Sequence, residues 1–183
     1  MYIPRQGRQM SGKTFSMAAQ LKKGKKAEKD FLERYGQGAI VRTDGRKGDL
    51  QVKWSRAVLE LKTDFYSKST NLFMERWSVE PTSDRPEGKV GGPWQSASHG
   101  AAYYLYWFPE LDELFVFQTE VLVNYLEANI QSFRACPVRN KGYTTLGYIV
   151  PKACLLKFHE ENADKKLLVD LDHVLHFTSG GNK

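Results

Sequence analysis

Two short segments of alternating polarity, 49–54 and 57–62, constrain the fold more than any other part of the sequence. Apolar and polar residues alternate along both, which is typical of strands that bury one face. If a two-residue loop at Ser55 and Arg56 joins them into an antiparallel hairpin, one face is wholly apolar and the other is almost wholly polar. The apolar pairs would be Leu50 with Leu61, Val52 with Leu59 and Trp54 with Ala57. A four-residue loop would keep the same two faces, whereas a three-residue loop would mix them.

The polar face of this hairpin gathers two carboxylates, an ammonium group and an amide. In the predicted register Asp49 lies opposite Lys62 and Gln51 lies opposite Glu60, on strands about 4.8 Å apart. Glu60 and Lys62 project from the same face because they are two residues apart on one strand. Two carboxylates suit Mg²⁺, which also accepts water and phosphate oxygens as ligands, and a nearby lysine could orient an attacking water. The same pattern fits a solvated sheet face that carries cross-strand ion pairs.

Most of the remaining chain has the pattern of strands and helices in one α/β domain. Apolar and aromatic side chains at helical spacing predict a helix over 27–35, which Gly36 would end. The unbroken aromatic run at 103–108 favours a strand buried on both faces over a base-stacking surface. The other predicted elements are strands at 39–42, 72–77, 104–108, 114–118 and 144–150, helices at 94–103 and from Thr119, and a loop at 81–93. We therefore predict a mixed β-sheet flanked by helices, in a single domain over 27–183.

Basic residues are concentrated at the start of the chain. The protein has a formal charge of +6, and residues 1–26 contain basic side chains and no acid. The basic residues of this segment are Arg5, Arg8, Lys13, Lys22, Lys23, Lys25 and Lys26. A basic, flexible arm would bind a polyanion such as DNA, because lysine and arginine release counterions condensed on the phosphates. A solubilising tail is the other interpretation of the same composition.

The sequence predicts neither a membrane span nor a cysteine framework. No apolar run approaches the ~20 residues that a spanning helix needs, and the N-terminus lacks the apolar stretch of a signal peptide. Cys136 and Cys154 are the only cysteines, and no pair of Cys or His residues has zinc-ligand spacing. We therefore expect a cytoplasmic protein that makes no membrane contact.

Three stretches of the chain resemble one nuclease superfamily. Residues 47–49 and 59–64 read Lys-Gly-Asp and Leu-Glu-Leu-Lys-Thr-Asp, which is similar to the PD-(D/E)XK signature, with Gly48 at the proline position. The run 69–75 resembles a Thr-Gly-Asn strand that ends in glutamate. The run 92–106 resembles a Gly-Trp helix that leads into a tyrosine-rich strand. The similarity extends over about residues 28–150 and is greatest to phage and bacterial members.

This resemblance implies a restriction-endonuclease-like fold and hydrolysis of DNA phosphodiesters with Mg²⁺ or Mn²⁺. Asp49 and Glu60 would be metal ligands, Lys62 the catalytic lysine, and Glu33 on the preceding helix a further acid. The candidate supporting residues are Gln51, Asn71 and Glu75. The substrate would be duplex or branched DNA, in the host cytoplasm if the protein is phage-encoded. A homodimer would supply two cuts by symmetry.

Two other functions stay open on the sequence. Residues 7–14 match the Walker A pattern, so Gly7 to Thr14 could serve a nucleotide-binding NTPase or kinase. A P-loop follows a buried strand, which Pro4 and Arg5 disfavour, and the segment that resembles a Walker B strand, 167–170, lies far along the chain. The second alternative is a non-catalytic DNA-binding protein on a nuclease-like scaffold.

Overall fold

Helices and strands alternate along the chain in a mixed α/β arrangement with two sheets. The structure is a computed structural model that describes residues 17–36, 38–43, 48–66 and 68–176, with side chains described from residue 21 to residue 175. The helices are α1 (Met17–Tyr35), α2 (Gly92–Ser98), α3 (Thr119–Asn129), α4 (Lys152–Glu161) and α5 (Leu171–His176). The strands are β1 (Ile40–Arg42), β2 (Leu50–Val52), β3 (Val58–Thr63), β4 (Asn71–Val79), β5 (Lys89–Val90), β6 (Tyr103–Phe108), β7 (Glu113–Gln118), β8 (Arg134–Asn140) and β9 (Tyr143–Pro151).

The first sheet has the strand order β1-β2-β3-β6-β7. Its first three strands form an antiparallel meander, β6 runs parallel to β3, and β7 is antiparallel to β6. A parallel neighbour requires a crossover, and here the crossover contains β4, β5 and α2. Segment 167–169 continues the sheet beyond β7, because the Gln118 N–H donates to the Leu167 carbonyl at 3.0 Å and the Val169 N–H donates to the Val116 carbonyl at 3.0 Å.

The predicted β2–β3 hairpin forms, but its register differs by two residues. Leu50 lies opposite Leu59, and the loop is the four-residue segment 53–56, closed by hydrogen bonds between Val52 and Ala57 and between Arg56 and Val52. The predicted pairs of the two-residue loop are therefore wrong. The two faces survive, because a shift of two residues leaves every side chain on its own side. Trp54 lies in the loop and is 45% exposed.

The second sheet has the order β5-β4-β9-β8 and is antiparallel throughout. It covers the face of the first sheet that bears Tyr104, Tyr106 and Phe108, and these rings share a core with Leu72 of β4 and Val150 of β9. The aromatic run is thus confirmed as core. Strand β8 was not predicted, and it forms the outer edge of this sheet.

The opposite face of the first sheet packs against helices. Phe31 of α1 and Val174 of α5 are buried there with Leu50, Leu59 and Leu105 of the sheet. The Phe31 ring meets the Trp107 ring edge-on, with centroids 5.5 Å apart. This core holds α1 across the meander, so residues on the helix edge come close to the ends of β1 and β2.

Several predicted boundaries are wrong. Helix α1 begins at Met17, not at residue 27, so part of the predicted arm is helical. Lysine, glutamine and alanine are good helix formers, and a prediction from apolar spacing alone misses such a segment. Helix α2 ends at Ser98, and β5 lies within the predicted loop. Among the described residues, no helix is long and apolar enough to cross a membrane.

Candidate functional site

Strand β2 is shorter than β3, and the candidate site lies where β2 begins. The register ends with Leu50 opposite Leu59, and the preceding residue, Asp49, lies close enough to Glu60 for its charge to raise the pKa of that carboxyl. On β3 the N–H groups of Leu59 and Leu61 face β2, since residues two apart point the same way. The N–H of Leu61 donates to Asp49 Oδ2 at 3.1 Å, in place of a backbone carbonyl. The Asp49 side chain is therefore held at the end of the ladder, beside Glu60.

The pKa of the Glu60 carboxyl is raised to about 7. Burial is the largest cause, and the charges of Asp49 and Glu28 contribute to the same increase. The charge of Lys62 acts in the opposite direction. Two carboxylates that share a poorly solvated site repel each other, so the ionised pair is disfavoured without a cation. Glu60 is the group at this site whose protonation responds to pH near neutrality.

Asp49 has a raised pKa for the same main reason. Burial raises the pKa of its carboxyl, the hydrogen bond from the Leu61 N–H lowers it, Glu28 raises it and Arg42 lowers it. Burial dominates over the hydrogen bond. Both carboxylates therefore lie where a bound cation would stabilise the charged form.

Lys62 follows Glu60 on the same face of β3, and the parallel register sets these two residues beside Tyr106 and Tyr104 of β6. The predicted opposition of Asp49 and Lys62 is wrong, because Leu50 pairs with Leu59 and not with Leu61. The lysine charge nevertheless reaches Glu60. The charges of Asp49 and of Lys62 thus both act on Glu60.

Glu33, the predicted acid of the helix, lies away from this cluster. It pairs with Lys29 at 3.4 Å on the exposed side of α1. Glu28 is instead the α1 residue whose charge acts on both Asp49 and Glu60, and it forms an ion pair with Arg42 of β1. Helical spacing offered a signal for Glu28, since Leu32 and Tyr35 follow it at i+4 and i+7 and are partly buried.

The three supporting candidates have local partners. Gln51 Nε2 donates to the Arg56 carbonyl at 3.1 Å and thereby holds the β2–β3 loop. Asn71 begins β4, where its amide Nδ2 donates to Thr70 Oγ1 at 3.4 Å. The Glu75 carboxylate accepts from Ser78 Oγ at 2.6 Å. Each of these hydrogen bonds joins residues no more than five positions apart in the sequence.

Tyr104 is a site neighbour that the sequence interpretation missed, because its aromatic run indicated only core. It is paired with Glu60 in the parallel register and is almost fully buried. Burial raises the pKa of its hydroxyl well above the usual value, and the charges of Tyr106, Glu60, Glu75 and Asp49 add to the effect. The hydroxyl therefore stays protonated and lies within the field of the site carboxylates.

The residues present fit a hard divalent cation. Mg²⁺ is commonly held by one or two carboxylates, with water and substrate phosphate as the other ligands. Asp49 and Glu60 provide two such carboxylates, and burial raises the pKa of each. Within the described ranges no group of three or more His, Cys, Asp or Glu side chains is placed to hold a metal. Asp49 and Glu60 are the two neighbouring carboxylates that could bind such a cation.

The basic residues predicted to bind DNA divide between two parts of the chain. Lys22, Lys23, Lys25 and Lys26 are exposed on the first half of α1. Lys23 Nζ lies 3.7 Å from the centroid of the Phe65 ring, just beyond β3. Arg5, Arg8 and Lys13 lie outside the described residues, as does the Walker A match over Gly7 to Thr14. The Walker B candidate ends at Asp170, whose Oδ1 accepts from the Asp172 N–H at 2.9 Å at the start of α5.

Comparisons with known proteins identify no relative. No family model, curated protein or solved structure matches the chain significantly.

Proposed function

We propose that the protein is a metal-dependent DNA endonuclease with a restriction-endonuclease-like core. The observation that carries the proposal is the apposition of Asp49 and Glu60 at the start of β2, with Lys62 two residues further along the same face of β3. Carboxylates with raised pKa values and a nearby lysine are typical of catalytic centres rather than of solvated sheet faces.

The element order supports the same proposal. Helix α1, the β1–β2–β3 meander, a crossover that includes α2, and the parallel strand β6 follow one another along the chain. This is the order that the PD-(D/E)XK resemblance implies. The motif residues lie on β3 and at the start of β2, at the centre of this arrangement.

The side chains have distinct roles in the proposed reaction. Asp49 and Glu60 would hold Mg²⁺ or Mn²⁺, with Asp49 fixed by the Leu61 N–H. The bound cation would offset the negative charge that develops on the scissile phosphate. Lys62 would donate a hydrogen bond to the attacking water or to a phosphate oxygen, and its charge favours ionisation of Glu60. The exposed lysines of α1 would bind flanking phosphates.

Cleavage assays test the proposal. Supercoiled plasmid and a synthetic four-way junction are incubated with Mg²⁺, Mn²⁺ or EDTA, and the wild type is compared with Asp49→Asn, Glu60→Gln and Lys62→Met. We expect metal-dependent cleavage that falls by at least about a hundredfold in each variant, because each removes a group that acts on the reacting atoms.

Matched controls separate chemistry from folding and from overall charge. Glu160→Gln and Lys157→Met make the same changes at exposed positions of α4, and they should cleave like the wild type. Circular dichroism should show the same fold in all variants. Cleavage that persists in the three site variants would contradict the proposal, and DNA binding without any cleavage by the wild type would favour the non-catalytic scaffold.

A further inference from the structure

The segment that follows β3 continues the row of side chains that carries the candidate site. Glu60, Lys62 and Asp64 occupy alternate positions, and the Asp64 N–H donates to the Trp107 carbonyl at 2.8 Å, which extends the ladder between β3 and β6. Residues two apart on a strand point to the same face. Asp64 therefore lies on the face of Lys62, one step further from Glu60.

The Asp64 carboxylate ties the backbone of this segment to the core. Its Oδ2 accepts from the Tyr106 hydroxyl at 2.9 Å, and that hydroxyl accepts from the Phe73 N–H at 3.0 Å. Its Oδ1 accepts from the Tyr66 N–H at 3.0 Å. Because Tyr106 is fully buried, the position of Tyr66 is set by a chain of hydrogen bonds that begins inside the protein.

Tyr66 presents its ring to solvent at this fixed position. It is 78% exposed, the largest exposed fraction among the large hydrophobic side chains of the described residues. The preceding residue, Phe65, is partly buried against the core beneath α1. A tyrosine on an anchored backbone can stack on a planar group with little loss of conformational freedom.

Cations flank the exposed ring along the chain and from α1. Lys23, itself exposed, has its Nζ 3.7 Å from the centroid of the Phe65 ring. Lys68 is exposed two residues after Tyr66. Neither lysine forms an ion pair with a described residue. The surface around Tyr66 therefore combines an exposed aromatic ring with exposed lysines.

This surface lies within reach of the candidate site. An extended chain spans at most about 3.6 Å per residue, so the Cα atom of Tyr66 lies no more than about 14 Å from that of Lys62. A DNA strand with one phosphate beside Lys62 would pass Tyr66 within a few nucleotides.

We propose that Tyr66 stacks on an unpaired base close to the scissile phosphate, while Lys23 and Lys68 bind neighbouring phosphates of the same strand. This inference rests on the proposed function and defines its substrate class as DNA with an unpaired nucleotide near the cleavage point. Proteins that bind single strands combine cations along the backbone with aromatic rings on which the bases stack. In an intact duplex both faces of each base are covered by neighbouring base pairs, so the ring has no base to stack on.

Equilibrium binding in EDTA tests the stacking separately from cleavage. Fluorescence anisotropy is measured with a labelled single strand and with the matching duplex, for the full-length wild type, Tyr66→Ala and Tyr66→Phe. Tyr66→Ala should weaken single-strand binding by about 5- to 150-fold, the effect of losing one base–aromatic stack, and should change duplex binding by less than about twofold. Because the ring is uncharged, the slope of log affinity against log salt should stay the same. Tyr66→Phe should bind like the wild type, since it keeps the ring.

Tyr143→Ala is the matched control, because it removes an exposed tyrosine from the second sheet. It should leave both affinities unchanged. Single-strand binding that persists in Tyr66→Ala, an equal loss of duplex binding, or a wild type without affinity for the single strand would overturn the inference. Cleavage by the wild type alongside any of these results would leave the nuclease proposal intact. Tyr66-dependent single-strand binding by a wild type that cleaves no DNA would support the stacking and contradict the nuclease proposal.

Discussion

Glu60 shows how one residue couples stability at the site to pH. Its pKa is raised from 4.5 to about 7, first by burial and then by Asp49 and Glu28. As the pH rises between these values, the unfolded chain releases a proton that the folded chain retains. The free energy of unfolding therefore falls over this window and becomes level above it. A pKa shift of this size lowers the free energy of unfolding by at most about 3 kcal/mol.

Glu60→Gln should stabilise the metal-free protein at alkaline pH. In EDTA at pH 8 we expect the free energy of unfolding to rise by about 1 to 3 kcal/mol, because the buried charge is absent. At pH 4.5 the effect should be small, since Glu60 is then protonated in the folded protein. Urea denaturation at both pH values measures the difference. An equal effect at the two values would refute the electrostatic explanation, and Glu160→Gln provides the exposed control.

At the level of elements, the pairing of β4 with β9 forms the centre of the second sheet. Phe73 of β4 lies over Gly147 of β9 on the outer face of the second sheet. A Cβ at Gly147 would have the Phe73 Cε2 and Cε1 atoms at 2.5 and 2.9 Å. The close approach of the Phe73 ring therefore requires glycine at position 147, because the ring occupies the space that a side chain there would take.

Gly147→Ala should destabilise the protein by about 1 to 3 kcal/mol, since the Phe73 ring must move from its packed position. Gly24→Ala in α1 is the matched control, because a Cβ there has no atom within 4 Å. That change should be neutral or stabilising by up to about 1 kcal/mol. Thermal denaturation of both variants compares them, and a Gly147→Ala variant as stable as the wild type would show that the ring moves freely.

For the whole molecule, charge is distributed between two separate surfaces. The first half of α1 presents exposed lysines, and the β8–β9 hairpin presents Arg134, Arg139 and Lys141. The overall charge is only +6, because acids balance the basic residues elsewhere.

Removing the lysine charges of α1 should weaken DNA binding without altering the chemistry. We expect Lys22→Gln/Lys23→Gln/Lys25→Gln/Lys26→Gln to reduce the salt slope by up to about 4, and the cleavage rate at saturating protein should stay unchanged. Substitution is preferable to truncation after residue 26, which would cut through α1. Anisotropy titrations and single-turnover cleavage give the two quantities. An unchanged slope would exclude this half of the helix from the DNA-binding surface.

The sequence by itself determined the two faces of the β2–β3 hairpin and the grouping of Asp49, Glu60 and Lys62. Alternation has a period of two, so it assigns each residue to a face but does not distinguish registers that differ by two residues. Only the tertiary structure decided that Leu50 pairs with Leu59 and that the Leu61 N–H holds Asp49 near Glu60.

The tertiary structure also decided which α1 acid approaches the site and that β8 is a strand. Glu28 and Glu33 are both acids on one helix, and the packing of α1 across the meander brings the charge of Glu28 to Asp49 and Glu60 while Glu33 stays exposed. Strand β8 contains Pro137 and exposed polar residues, so it lacks the apolar alternation that indicates a buried strand. It forms because pairing with β9 satisfies its backbone hydrogen bonds. The residues of β9 that provide this pairing lie outside β8, so the sequence of β8 alone does not reveal it.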